Sequence, residues 1–301
     1  MSRVIYVNGR YLPYAEALVH VEDRGFQFAD AIYEVCEVRR GCIVDETRHL
    51  ARLERSLSEL AMPAPMSRAA LSRIMRETVR RNRVRDGILY LQVSRGARPR
   101  DFLFPPAGTP RTLVCIARSV APEMAEARAE KGIGVITMPE MRWSRCDIKT
   151  VMLLPASVAK EAAQARGARE AWFVDAEGFI TEGASSNAWI ITAGGELVTR
   201  PADRAILRGV TRVTLIDLLA REGLAFAERP FRLQEARRAR EAFVTSATGN
   251  VMPVVAIDGE PVGDGKPGPI TRRLRRLFHT AAEMSPLSGP ATRIPSFAAI
   301  G

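Results

Sequence analysis

Segments with strand-like periodicity and segments with helix-like periodicity follow one another in this chain without a regular alternation. Two β-hairpins are predicted near the start, with turns at Asn8-Gly9 and Arg40-Gly41, because each turn separates short apolar stretches. A regular exchange of strand and helix would indicate a doubly wound parallel sheet. The observed order predicts an α+β fold in two lobes instead.

Six segments place their apolar residues on one face of a helix, as Leu50, Leu53 and Leu57 do in the first of them. The predicted helices are 47–62, 68–81, 122–131, 154–166, 211–222 and 270–284. Residues 1–121 are predicted to form an N-terminal α/β lobe and residues 122–284 a C-terminal lobe. Residues 285–301 are rich in Pro, Ser, Ala and Gly, and this composition predicts a flexible tail.

The basic residues of this chain are almost all arginines. The formal net charge is +10, but only four of the 44 basic residues are lysines, namely Lys131, Lys149, Lys160 and Lys266. The arginines are scattered, and no zinc finger, helix-turn-helix or aromatic-basic run accompanies them, so no nucleic-acid partner is expected. An amine can form a Schiff base and a guanidinium cannot, so each remaining lysine is a candidate for amine chemistry.

Other function classes find little support in the sequence. The four cysteines show no CxxC spacing, and with three histidines in the whole chain no metal site is expected. No apolar run approaches the length of a membrane span and no signal-peptide pattern is found, so a cytoplasmic protein without a membrane segment is expected. Neither GxGxxG nor GxxxxGK[ST] occurs, so dinucleotide and P-loop sites are not indicated.

Eight short segments stand out when they are taken together. They are 22–30 (EDRGFQFAD), 33–35 (YEV), 49–53 (HLARL), 93–96 (VSRG), 145–149 (RCDIK), 181–187 (TEGASSN), 207–212 (LRGVTR) and 245–248 (TSAT). In this order, over about residues 1–284, they resemble the class IV (fold type IV) aminotransferases, which depend on pyridoxal 5'-phosphate (PLP), and most closely the D-amino-acid aminotransferases.

The resemblance implies a homodimer of two-lobed subunits with PLP at the lobe boundary, the C-terminal lobe being the cofactor-binding one, and with amino acids and 2-oxo acids as substrates. Lys149 would be the Schiff-base lysine and the proton shuttle, and Glu182 would pair with the pyridine nitrogen. Further cofactor contacts are implied for Arg52, Ser186, Leu207, Val210, Thr211, Ser246 and Thr248. Taken singly, these residues also fit ordinary roles: a surface lysine, a hairpin carboxylate, a solvated arginine and a helix cap.

The family's D-amino-acid enzymes hold the substrate carboxylate with a tyrosine and with an arginine from the neighbouring subunit. Tyr33 and Arg100 match these positions, with Tyr90 as a supporting group and Arg98 as a second carboxylate partner or a surface charge. Phe102 stands where the family typically has histidine, which predicts weaker substrate binding or a different contact. Ala247 stands among the hydroxyl residues that the resemblance assigns to the cofactor phosphate. Because it has no hydroxyl, a small loss of cofactor affinity is predicted.

The resemblance predicts a D-amino-acid transaminase with a ping-pong mechanism. Three alternatives share the fold: a branched-chain L-amino-acid transaminase, an aminodeoxychorismate lyase and an (R)-amine transaminase. All three would keep Lys149, Glu182 and Arg52, so these residues do not separate them. A non-enzymatic basic binding protein is the remaining alternative, and it would carry no cofactor.

Overall fold

The computed structural model describes residues 3–288 of the chain. Within them, the strands are β1 (Val4–Val7), β2 (Arg10–Pro13), β3 (Ala31–Arg39), β4 (Cys42–Val44), β5 (Gly87–Ser94), β6 (Thr112–Ser119), β7 (Ile133–Pro139), β8 (Glu170–Val174), β9 (Ile180–Gly183), β10 (Asn187–Ile191), β11 (Leu197–Thr199), β12 (Phe226–Glu228), β13 (Glu241–Ser246), β14 (Asn250–Ile257), β15 (Glu260–Pro261) and β16 (Met284–Pro286). The helices are α1 (Arg24–Phe28), α2 (Glu46–Glu59), α3 (Arg68–Arg81), α4 (Pro122–Lys131), α5 (Leu154–Ala165), α6 (Val210–Arg221), α7 (Leu233–Arg237) and α8 (Pro269–Ala281), with a 3-10 turn at Tyr14–Glu16.

The described residues divide into two compact units, and neither is continuous in sequence. The first comprises 3–122, Ile148–Met152 and 282–288, and the second comprises Glu123–Asp147 and Leu153–Ala281. The predicted lobes, 1–121 and 122–284, were continuous segments. The two returns of the chain to the first unit follow from backbone pairing with strands of that unit, which periodicity within a segment does not reveal.

The first unit is built on a seven-stranded sheet in the order β16-β4-β3-β5-β6-β1-β2, in which each neighbouring pair is antiparallel. Both predicted hairpins are confirmed: their turn residues have positive φ, at 45° and 91° for Asn8 and Gly9, and 50° and 73° for Arg40 and Gly41. Such angles match the tight two-residue turns that suit twisted strands. Helix α2 packs on β3, and α3 packs on β6.

The second unit contains a nine-stranded mixed sheet in the order β12-β11-β10-β13-β14-β7-β8-β9, with β15 added to β14. Helix α5 presents Ala159 and Ala163 to the sheet, where they pack with Phe173 in a tight cluster. Helix α8 buries Leu274 and Phe278 on one face, as expected for an amphipathic helix. The mixture of sheets and helices confirms the α+β class.

Two predicted helix ends were wrong. The helix predicted to reach residue 62 ends at Glu59, because Ala61 adopts a positive φ of 47° and the Met62 N–H donates to the Leu57 carbonyl oxygen. The helix predicted to reach residue 284 ends at Ala281.

Residues 284–286 form β16 against β4. The prediction of a flexible tail is therefore wrong for residues 285 and 286. The return is stabilised by the Glu283 N–H, which donates to the Asp45 carboxylate. The tail prediction for 289–301 lies outside the described residues.

Among residues 3–288, no helix combines the length and apolar character that crossing a membrane requires. Within the same range, no group of three or more His, Cys, Asp or Glu side chains is arranged to hold a metal ion.

Candidate active site

Lys149 lies on the short segment Ile148–Met152, which runs beside the start of β3 in the first unit. The Tyr33 N–H donates to the Lys149 carbonyl oxygen at 3.0 Å, and the Val151 N–H donates to the Ala31 carbonyl oxygen at 3.0 Å. The half-buried Lys149 side chain places Nζ 4.3 Å from the centroid of the Tyr33 ring. Among residues 3–288, Nζ makes no hydrogen bond or ion pair. The backbone and an aromatic face thus position an amine that no carboxylate neutralises.

Tyr33 and Tyr90 lie on adjacent strands, β3 and β5, and their rings stack with centroids 5.7 Å apart. The Tyr90 hydroxyl donates to Gln92 Oε1 at 2.5 Å. Burial, reinforced by the neighbouring Tyr33, raises the pKa of Tyr90 to about 12. The Tyr90 hydroxyl therefore stays protonated at neutral pH, and the Tyr90 ring packs against the Tyr33 ring that the lysine contacts.

Glu34 follows Tyr33 in the strand, so its side chain points to the other face of the sheet, toward α2. Arg52 forms a bidentate pair with it, from Nε to Oε1 at 2.8 Å and from Nη2 to Oε2 at 2.7 Å. His49 Nδ1 lies 2.7 Å from Glu34 Oε2. Arg52 is thus oriented by a buried carboxylate, and its predicted phosphate contact stays a prediction.

The loop between β5 and β6 carries Arg98 and Arg100, both exposed. Arg98 Nε donates to Thr109 Oγ1 at 3.3 Å. The Arg100 guanidinium lies 5.0 Å from the Phe28 ring centroid and 5.4 Å from that of Phe102. Within residues 3–288, neither Arg98 nor Arg100 forms a hydrogen bond or ring contact with Tyr33, Tyr90 or Lys149. The single chain does not bring the predicted substrate-binding residues into one cluster.

In the second unit, the side chain of Glu182 is buried on β9 and held by three donors. Arg142 Nη1 donates to Oε1 at 2.5 Å, the Leu207 N–H donates to Oε1 at 3.1 Å, and Asn187 Nδ2 donates to Oε2 at 2.8 Å. These bonds fix the plane of the carboxylate. The exposed hairpin carboxylate that the sequence left open as an alternative is not what the structure contains.

A tight turn connects β9 to β10 through residues 183–186. The Gly183 N–H donates to the Ser186 carbonyl oxygen at 2.7 Å, and a Cβ on Gly183 would lie 2.3 Å from Ser186 Oγ. The hydroxyls of Ser185 and Ser186 donate to the buried Glu170 carboxylate at 2.8 and 3.0 Å. The turn requires glycine at 183 and is anchored by a carboxylate beneath it.

Helix α6 begins at Val210 with Gly209 as its N-cap, so Val210 and Thr211 lie in its first turn. A Cβ on Gly209 would lie 2.1 Å from Asn187 Oδ1, which explains the glycine. First-turn N–H groups have no partner within the helix, and the helix dipole favours an anion there. This end of α6 can therefore bind a phosphate group.

Ser246 is the last residue of β13, and Thr248 lies in the turn between β13 and β14. Ser246 Oγ accepts a hydrogen bond from the Gly249 N–H at 3.1 Å, and Thr248 is exposed.

Asn187 links several predicted cofactor residues of this unit. Besides bonding Glu182, its Nδ2 donates to the Leu207 carbonyl oxygen at 2.8 Å. Its Oδ1 leaves no room for a side chain at Gly209. Asn187 and Arg142 were not singled out from the sequence. The asparagine stood in a matched motif and could have been found, whereas Arg142 is 40 residues from its partner Glu182 and gave no local signal.

Comparisons with known proteins agree with this arrangement. The amino-transferase class IV family matches residues 31–257. The chain is 37% identical to D-alanine aminotransferase of Bacillus licheniformis over 96% of this chain and 99% of that protein. The chain belongs to the class IV aminotransferases.

Two further relatives support this membership. D-alanine aminotransferase of Staphylococcus haemolyticus is 37% identical over 93% of the chain and 98% of its own length. A crystal structure of the T.th. branched-chain amino acid aminotransferase with pyridoxamine 5'-phosphate superposes with a TM-score of 0.85 at 25% identity, covering 93% of both chains. The α+β fold of this aminotransferase is that of the fold type IV enzymes.

Proposed function

We propose that the protein is a PLP-dependent transaminase that moves the amino group of a D-amino acid, of the D-alanine or D-glutamate class, to a 2-oxo acid. The observation that carries the chemistry is the Lys149 amine, held over the Tyr33 ring without a carboxylate partner among residues 3–288. The substrate class rests on the relatives named D-alanine aminotransferase, which match the chain over nearly its whole length. The more distant branched-chain relative keeps the alternative open to test.

The side chains present fit PLP. An aldehyde needs an amine, which Lys149 offers; a phosphate dianion needs unpaired N–H groups, which the first turn of α6 at Val210 and Thr211 offers. A pyridinium nitrogen needs a fixed carboxylate, which Glu182 offers. Ser186, Leu207, Ser246, Thr248 and Arg52 complete the proposed contacts.

Bound PLP supplies an electrophilic carbon for amines and an electron-poor ring that stabilises negative charge at the substrate Cα. Lys149 Nζ would accept the proton from the substrate Cα and deliver it to the cofactor C4′. Glu182 keeps a proton on the ring nitrogen, so the ring remains electron-poor. Tyr33 and Tyr90 would orient the substrate carboxylate together with Arg100, and with Arg98 as a second cation, from the loop of the neighbouring subunit in the proposed homodimer. The oxo-acid product leaves before the second oxo acid binds, which makes the kinetics ping-pong.

The absorption spectrum of the purified protein tests the function when D-alanine, D-glutamate, L-leucine and L-glutamate are added separately. We expect the cofactor band to change to that of the amine form with the two D-amino acids and to stay unchanged with the two L-amino acids. The D-enantiomers are expected to react because the chain is 37% identical to a D-alanine aminotransferase over 96% of its length.

The same titration separates the alternatives. Conversion by L-leucine would contradict the D-amino-acid assignment and favour a branched-chain enzyme. A bound cofactor that none of the four converts would favour the lyase or the (R)-amine transaminase. A colourless protein that gains no band with added PLP would point to a non-enzymatic protein.

We also propose that the enzyme is a cytoplasmic homodimer. Phe26, Phe102 and Leu103 of the first unit are 76% to 79% exposed, and large exposed apolar side chains are one mark of a protein interface. Multi-angle light scattering is expected to give twice the chain mass of 33.1 kDa. A monomer at micromolar concentration would contradict the proposal.

A further inference from the structure

Arg142 lies between two carboxylates of the second unit, Glu140 and Glu182. Glu140 accepts from Arg142 Nε at 2.9 Å and from Nη2 at 2.7 Å, whereas Glu182 accepts from Nη1 at 2.5 Å. The Arg142 side chain is 13% exposed and that of Glu182 is 6% exposed. The Phe173 ring lies under the guanidinium, 4.7 Å from Cζ. These hydrogen bonds and the Phe173 ring fix the orientation of the Arg142 guanidinium before any ligand binds.

Glu140 and Arg142 are both held in their ionised forms. Burial opposes ionisation of Glu140, but the hydrogen bonds and the charge of Arg142 outweigh it and lower its pKa. Burial likewise opposes the charge on Arg142, but the Glu140 hydrogen bond and the Glu182 charge raise its pKa overall. Burial raises the pKa of the nearby Cys146 thiol to about 12, so that group stays neutral.

Arg142 carries a positive charge that faces both Glu140 and Glu182. The neutral Thr181 hydroxyl donates to Glu140, the neutral Asn187 amide donates to Glu182, and the nearby Asp147 pairs with Arg145.

We propose that Arg142 is a positioning residue that keeps the shared proton on the cofactor ring nitrogen rather than on Glu182. The inference rests on the proposed function. A buried acid–base pair can exist as an ion pair or as a neutral pair, and burial favours the neutral one. A cation bonded to Glu182 favours its ionised form, so the proton goes to the ring nitrogen. Without Arg142, Glu182 becomes the better base and takes the proton.

The test uses the protein loaded with PLP that carries 15N in the ring. The 15N resonance separates a protonated ring nitrogen from an unprotonated one, and loss of packing alone would not move it. In Arg142→Met we expect the resonance to move toward the unprotonated position at unchanged pH, whereas Arg142→Lys, which keeps the cation, should stay near the wild-type position. Arg200→Met is a matched control, because Arg200 is also 13% exposed and pairs with Asp175 away from Glu182.

A ring nitrogen that stays protonated in Arg142→Met would overturn the inference and leave the proposed function intact. If Arg142→Met does not fold, Arg142→Lys still decides, because an unprotonated ring in that variant would show that the positive charge is not what matters. A wild-type protein that binds no PLP would overturn the proposed function itself.

Discussion

Replacing Lys149 with alanine is expected to abolish transamination, with a fall in turnover of roughly 10⁴-fold or more, because both the covalent amine and the proton-transferring group are lost. The neighbouring backbone bonds between the Lys149 segment and β3 do not involve the side chain, so the fold should persist. Turnover of D-alanine with 2-oxoglutarate measures the effect. Borohydride reduction of the wild-type protein should attach the cofactor to the peptide that contains Lys149.

Lys131→Ala is the matched control, since Lys131 is exposed at the end of α4 and is one of only four lysines. We expect it to keep wild-type turnover and the wild-type site of attachment. Normal turnover in Lys149→Ala, or a reduced adduct on another lysine, would overturn the assignment of the amine.

Lys149 shows which candidate residues a sequence can reveal. The rarity of lysine in an arginine-rich chain made an amine stand out, and the motif around it singled out this lysine. Local signals also predicted the hairpins and the bodies of the long helices, because turn residues and apolar spacing act within a few residues.

Contacts between distant segments gave no such signal. Residues 284–286 add to the sheet through backbone bonds to β4, and backbone pairing leaves no side-chain pattern in so short a segment. Arg142 reaches Glu182 across 40 residues, and Glu34 reaches Arg52 across 18. The sequence therefore predicted several charged residues of the site without the partners that orient them.

Replacing Glu34 with glutamine is expected to lower the free energy of unfolding of the cofactor-free protein by about 3–5 kcal/mol at pH 7, because it removes the buried carboxylate that pairs with the Arg52 guanidinium. The Glu34 side chain is 1% exposed and that of Arg52 is 10% exposed. Urea unfolding measures the change. Glu54→Gln is the control: Glu54 forms a similar pair with Arg68, but the two side chains are 42% and 45% exposed, so a loss below about 1 kcal/mol is expected.

The pH dependence distinguishes a lost charge from lost packing. Burial alone would raise the pKa of Glu34, but the charge and hydrogen bonds of Arg52, helped by His49, lower it from 4.5 to about 2. Because the folded-state pKa lies below the unfolded one, the stabilisation is complete above pH 4.5 and is lost as pH falls through about 2. The lowered pKa of Glu34 corresponds to a stabilisation of the folded state on the order of 3 kcal/mol. The difference between wild type and Glu34→Gln should therefore shrink on acidification, and a constant difference from about pH 7 to about pH 3 would show that packing, not charge, stabilises the pair.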